Sequence, residues 1–170
     1  MEGLRHSLLA PSGATVVIIF GTLDAMMTMI KTKYSAKDDN GKMLFPHPFA
    51  PWTKVDPKYE DQADKALRAW RMFENVKEWT FMSLPLMWIF AGFAGSIPKV
   101  TDQMVDIAVV TSTIGYCYGN YLFSKGYIES PEKRLKGFNV RTNVVKFWLG
   151  GSAIAVVCTA LQKYGVLTIS

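Results

Sequence analysis

Four side chains of different chemistry, Arg68, Arg71, Asn75 and Glu78, recur at intervals of three, four and three residues. At about 100° per residue they share one face of a helix. Two guanidiniums, a carboxamide and a carboxylate on one face make a set that can hold a small zwitterion. A guanidinium grips a carboxylate through two parallel hydrogen bonds. A carboxylate holds an ammonium, and an amide between them can donate to and accept from a peptide bond. A small peptide with free amino and carboxylate groups satisfies the set; an interhelical ion-pair network or a solvated helix base would also account for it. Trp79 to Ala94 then runs without a charge. Ionisable groups on a membrane helix are expensive, and they face a protein interior or a wet pocket where they have a task. Glu74 and Lys77 lie beside and opposite the stripe, where surface or subunit contacts use them.

A second constellation is Phe123, Gly126 and Tyr127, followed by Pro131, Lys133, Arg134 and Gly137. Tyr127 ends a helix and can turn its hydroxyl into the same pocket. A cation at Arg134 can stabilise a thiolate and make it a competent nucleophile near neutral pH. An interfacial aromatic for Tyr127 and a topology-setting charge for Arg134 are the competing explanations.

The elements that must carry these groups follow from hydropathy. The chain has 170 residues, 49% of them hydrophobic, a mean hydropathy of +0.12 and a formal charge of +5. That is more apolar than an average soluble domain, yet too charged for a bare set of spans. The expected fold is all-α: a single membrane domain over residues 1–170, an integral four-helix bundle. The helices are expected near 14–31, 62–94, 101–126 and 139–164. Each is long enough to cross roughly 30 Å of hydrocarbon at about 1.5 Å per residue. Pro46, Pro48, Pro51 and Pro57 exclude a long helix from the first loop, and Asp38-Asp39-Asn40-Gly41 predicts a turn within it. Gly95, Ser96 and Pro98 predict a short turn, and Thr101 or Asp102 an N-cap.

The first helix lacks a small-residue cleavage site and ends in Lys31 and Lys33, so a retained span is expected. Lysines at 33, 37, 42, 54 and 58 load the first loop, and Lys125, Lys133, Arg134 and Lys136 load the third. Arg5, Lys99 and Lys163 lie on the opposite side. Both basic loops therefore face the cytoplasm or its organellar equivalent, and the base of the stripe shares a side with Arg134. Gly115 with Gly119, and Ala91 with Gly95, form small-xxx-small pairs that permit close helix approach. Cys117 and Cys158 sit in apolar runs and read as small buried hydrophobes. His6 and His47 have no ligand-spaced partners, so no metal site is expected. Asp24, in the middle of the first helix, calls for a polar partner on a neighbouring helix.

Together these features resemble the MAPEG family, the membrane-associated proteins of eicosanoid and glutathione metabolism, which includes microsomal glutathione transferases and leukotriene C synthase. The resemblance covers the whole chain as four helices with two loops on one side. Its most specific part is Arg71-x-x-x-Asn75-x-x-Glu78. Its second part, Gly119-x-x-Leu122-Phe123-x-x-Gly126-Tyr127 with Pro131, Lys133-Arg134 and Gly137, is most similar to the third microsomal glutathione transferase subgroup. The resemblance implies a trimer of four-helix protomers that binds glutathione, as co-substrate, in a cleft between subunits. It implies that Arg71, Asn75, Glu78 and Tyr127 hold glutathione and that Arg134 activates the thiol. A lipophilic acceptor would enter from the bilayer. Arg68 falls outside the motif.

The chain departs from the family pattern at Trp79, where a tyrosine is common, at Asn120, where an arginine is frequent, and at Phe123, where a tyrosine is frequent. Met72-Phe73 replaces Ala-His or Ala-Gln, and Lys31 and Lys33 only loosely match the family's basic pair. The expectation is a glutathione transferase or peroxidase acting on lipophilic electrophiles or lipid hydroperoxides, in endoplasmic-reticulum or mitochondrial membrane, with no nucleic-acid partner. The alternative is a catalytically degenerate relative serving as an accessory subunit of a larger membrane complex, to which a proline- and Trp52-containing loop would lend contacts. A third reading is a fatty-acid-binding regulator.

Overall fold

The computed structural model describes residues 8–45, 47, 55–130 and 132–166. The expectations placed on Arg5, His6, Pro46, Pro48, Pro51, Trp52, Lys54 and Pro131 fall outside them. Four long helices dominate: α1 (Leu9–Ser35), α2 (Glu60–Phe93), α3 (Asp102–Glu129) and α4 (Arg134–Lys163). The all-α expectation holds among the described residues, which add only two 3₁₀ turns and an isolated bridge between Lys37 and Met43.

Two helices begin five residues earlier than their hydropathy suggests. α1 starts at Leu9 and absorbs Pro11. A proline in the first turn costs nothing, because that turn's N–H groups have no helical acceptor anyway. α4 starts at Arg134 with no acidic residue in its first turn. Cations there oppose the helix dipole, so packing against α3 sets this boundary rather than local propensity. α3 opens where expected, with Thr101 Oγ1 accepting from the Met104 amide at 3.3 Å. α2 runs through Pro85, which lacks the N–H that would close the ladder there.

α2 and α3 form the centre. α1 packs against both, α4 packs against both, and α1 and α4 do not pack on one another among the described residues. One core gathers Ile18, Met87, Phe90, Val109, Tyr116 and Trp148 towards one end of the bundle. A second gathers Ala25, Met29, Met72, Phe73, Val76 and Phe123 towards the basic loops. Hydroxyls tie the helices across these cores. Thr22 and Thr80 hydroxyls meet at 2.9 Å, Trp88 Nε1 donates to Thr15 Oγ1 at 2.9 Å, and Trp148 Nε1 donates to Ser112 Oγ at 2.8 Å.

Large apolar side chains stand on the outside of the helices. Phe20, Phe81, Ile114, Leu149 and Val157 stand exposed. α1 and α4 are long and apolar enough to cross a membrane, with only 22% and 17% of their most apolar stretches buried inside the protein. Lys33 departs from its expected role. It lies inside α1, not in the loop, and is fully buried, with its ammonium over the rings of Trp70 at 4.9 Å and Phe45 at 5.4 Å. It therefore contributes no exposed charge to the first loop.

Glycines set how closely α3 and α4 approach. A Cβ on Gly137 would stand 2.1 Å from the Phe123 amide nitrogen, and one on Gly119 would stand 2.7 Å from the Arg141 nitrogen. A Cβ on Gly126 would stand 2.5 Å from the Lys133 carbonyl oxygen. All three obstacles are backbone and cannot rotate away. The expected pair Gly115 and Gly119 thus marks the α3–α4 seam. Gly95 does not mark a helix–helix seam, since it lies in the turn after α2, where its Cβ would meet Asp102.

The predicted turn is present. Asp38 Oδ1 accepts from the Asn40 and Lys42 amides at 2.9 and 2.8 Å, and Gly41 takes φ +77°. Lys58 pairs with Asp39 at 2.6 Å and pins this turn to the entrance of α2. The Lys58 contact holds the Asp39 carboxyl below its ordinary range, and Asp39 holds the Lys58 ammonium above its own.

Gly137→Ala should destabilise the detergent-solubilised protein by about 1–3 kcal/mol or more, as forced overpacking does. Gly150→Ala, with open space around it, should leave the thermal midpoint unchanged or raise it. Equal midpoints for the two variants would contradict the seam. The Asp39 contribution is present above the unfolded carboxylate value and is lost as pH falls through the lower folded value; the Lys58 contribution is lost only as pH rises through its raised value. Hydrogen-exchange protection of residues 38–42 should therefore stay level between about pH 5 and 9 and fall below about pH 4. Asp39→Asn should lower protection at neutral pH and shrink that acid limb.

Candidate functional site

Two residues of the α2 stripe, Arg68 and Asn75, reach α3 and α4. Arg68 Nε donates to the Ile128 carbonyl at 3.4 Å, a helix-end contact, as expected for a residue outside the motif. Arg71 and Glu78 are exposed, one turn before and one turn after the half-buried Asn75. Lys77 pairs with Glu74 at 2.6 Å on the other side of α2, in the surface role expected of them.

Asn75 leads to the residue that the sequence pattern does not single out. Arg141, on α4, is completely buried. Its Nη2 donates to Asn75 Oδ1, and its Nη1 donates to Asn120 Oδ1 at 3.3 Å. A guanidinium can only donate, so the amide oxygens, not the NH2 groups, must face it. Three rings cover it, with centroids 3.9 Å (Phe123), 4.7 Å (Trp79) and 5.4 Å (Phe138) from Cζ. Burying an unpaired charge costs several kcal/mol. Two amide oxygens and aromatic faces, the latter worth about 2 kcal/mol or more when desolvated, offset that cost. Among the described residues no carboxylate forms an ion pair with Arg141, and its Nε has no hydrogen-bond partner.

This corrects the reading of Asn75. An amide free on both sides could donate and accept. Here its acceptor oxygen is taken by Arg141, and the NH2 remains as a donor. Phe123, Trp79 and Asn120, where the resemblance would place other residues, are all engaged around this guanidinium.

Tyr127 and Arg134 are brought together. Arg134, first residue of α4, stacks over the Tyr127 ring at 5.0 Å, and Tyr127 packs on Phe123 at 5.3 Å. A continuous line of contacts thus runs from Asn75 through Arg141 and Phe123 to Tyr127 and Arg134. Lys133 is drawn aside by Glu129 at 2.8 Å, which leaves Arg134 as the cation on the tyrosine.

A groove of about 340 Å³ opens between α1 and α3 on the other side of Asn120. Asp24 lines it, exposed, with Asn120, Ser124, Lys125 and Glu129. Cys117 lines it too and is half-buried rather than enclosed in core, as is Cys158 elsewhere on α4. Among the described residues no group of histidine, cysteine, aspartate and glutamate could hold a metal ion.

A signal for Arg141 exists in the sequence. It stands two helical turns from Arg134 and one turn from Gly137, so all three share a face. Starting α4 at Asn139 hides that relation. No protein-family model matches the sequence, and a search of the curated proteins finds no match either.

Proposed function

We propose that the chain is a MAPEG-type, multi-pass membrane enzyme that uses glutathione to conjugate lipophilic electrophiles or to reduce lipid hydroperoxides. The observation that carries this reading is the line of contacts joining the Arg71–Asn75–Glu78 face to the Tyr127–Arg134 pair. Arg71 and Glu78 are seven residues apart, about 10 Å along a helix. An extended tripeptide spans a similar length, so its carboxylate can meet Arg71 while its ammonium meets Glu78. Asn75 donates to an oxygen between them.

Arg134 acts on the thiol. A free thiol loses its proton near pH 8.5, and a fixed cation beside it favours the thiolate. Stacking on Tyr127 restricts where the guanidinium can go, so it stands ready before substrate arrives. The thiolate then attacks a substrate that reaches it from the bilayer. At an electrophilic carbon it forms a C–S bond and expels the leaving group, or adds across an activated double bond that then takes up a proton. At a hydroperoxide oxygen it breaks the O–O bond, giving the alcohol and a sulfenic acid that a second glutathione reduces to disulfide and water. The apolar exterior of α1 and α4 supports that route. The exposure of Arg71 and Glu78 on a single protomer fits a cleft completed by a neighbouring copy, as in a homotrimer. Endoplasmic-reticulum or mitochondrial membrane suits the chemistry equally.

A second reading is an accessory subunit in a larger membrane complex that has lost catalysis. It is favoured by the way Arg141 occupies the space between Asn120, Phe123 and Trp79 with the chain's own side chain.

Purified protein in detergent should bind glutathione and show the ultraviolet absorbance of a thiolate near neutral pH. Arg134→Ala should abolish that absorbance and leave affinity largely intact. Arg71→Ala should weaken binding by about 10- to 100-fold, the usual cost of a hydrogen bond to a charged group. No binding at millimolar glutathione would sink the enzyme reading, and binding without thiolate would favour the accessory subunit.

A further inference from the structure

A buried arginine that pairs with no carboxylate among the described residues needs a reason. Arg141 is fully buried, its two terminal nitrogens end on the oxygens of Asn75 and Asn120, and three aromatic rings close over it. Replacing such a group by an apolar side chain of similar volume is often neutral or stabilising. Stability alone therefore does not account for it. Its two polar contacts have one common consequence: each fixes which way a carboxamide faces. Asn120 also lines the α1–α3 groove, and Asn75 belongs to the exposed α2 face.

We propose that Arg141 is a positioning residue of the glutathione site: it takes the oxygen of Asn75 from behind, aims the NH2 outward as a donor only, and lays a permanent positive charge beneath the bound peptide. This rests on the glutathione reading above. It deepens that reading by defining what Asn75 recognises. A carbonyl or carboxylate oxygen of the ligand fits the NH2, and an N–H of the ligand does not. The fork geometry matters as much as the charge. A lysine at 141 keeps the charge but is a point donor that cannot bridge both amides as a planar guanidinium does.

Asn75→Asp gives a test that folding does not confound. The new carboxylate accepts from Arg141 as the amide oxygen did and pairs with its charge, so the thermal midpoint should hold or rise. The outward donor, however, is gone, and glutathione affinity should fall by about 10- to 100-fold. Arg141→Lys should fold and lose affinity by about 10-fold. Both variants should lose the same factor for S-methylglutathione, which has no thiol to ionise. That equality separates Arg141, which acts on the peptide, from Arg134, which acts on sulfur.

The proposal is overturned if Asn75→Asp or Arg141→Lys binds glutathione as the unaltered protein does. It is also overturned if Asn75→Asp melts well below that protein, because position 75 then does not meet Arg141, or if the loss is confined to glutathione with its thiol. If the unaltered protein binds neither ligand at millimolar concentration, the glutathione reading falls and takes this one with it. Binding by the unaltered protein with unaffected variants removes this one alone.

Discussion

A guanidinium stays protonated in a protein, so burying one obliges the surrounding structure to arrange itself around a fixed charge. Arg141 imposes that obligation at the junction of α2, α3 and α4. Asn75 comes from α2, Asn120 and Phe123 from α3, and Phe138 from the same helix as the arginine. Any slide of one helix past the others breaks an amide contact or lifts a ring from the cation. The register of three helices is therefore tied to one side chain. The exposed residues of the α2 face inherit their positions from it.

That arrangement needs the backbones of α3 and α4 to touch. Hydrogen is the only side chain that fits at Gly119, Gly126 and Gly137, which lie against backbone atoms of the opposing helix. One apolar core around Trp148 and a second around Met72, which takes in Phe123 of the junction itself, hold the remaining length together. The association does not rest on apolar burial alone, since the outer faces of α1 and α4 are apolar as well. Hydroxyl and indole contacts such as Thr22–Thr80 and Trp88–Thr15 add directional bonds where helices cross.

The helix count, the order of elements, the Thr101 cap and the Asp38–Gly41 turn were legible from local signals, because each depends on residues near one another in the chain. Boundaries set by tertiary contact were not. α4 begins at Arg134, against its dipole, because Gly126 and Gly137 let it pack there. Lys33 has the type of a loop charge, and its place against the rings of Trp70 and Phe45 depends on residues outside its own helix. The α2 motif was visible as a spacing, but the partner of Asn75 was not. The shared face of Arg134, Gly137 and Arg141 is a local signal, but the contacts that bury the arginine lie 66 and 21 residues away.

The glycine seam also decides which parts of the protein can move. With backbone against backbone at three levels, α3 and α4 form a single rigid strut that neither slides nor splays cheaply. α1 does not pack its backbone on α4 among the described residues and borders the open groove along α3. α1 instead meets α2 and α3 through side chains and hydroxyl contacts, so the two walls of the groove differ in kind: a backbone-to-backbone strut behind α3 and a side-chain-packed helix in front of it.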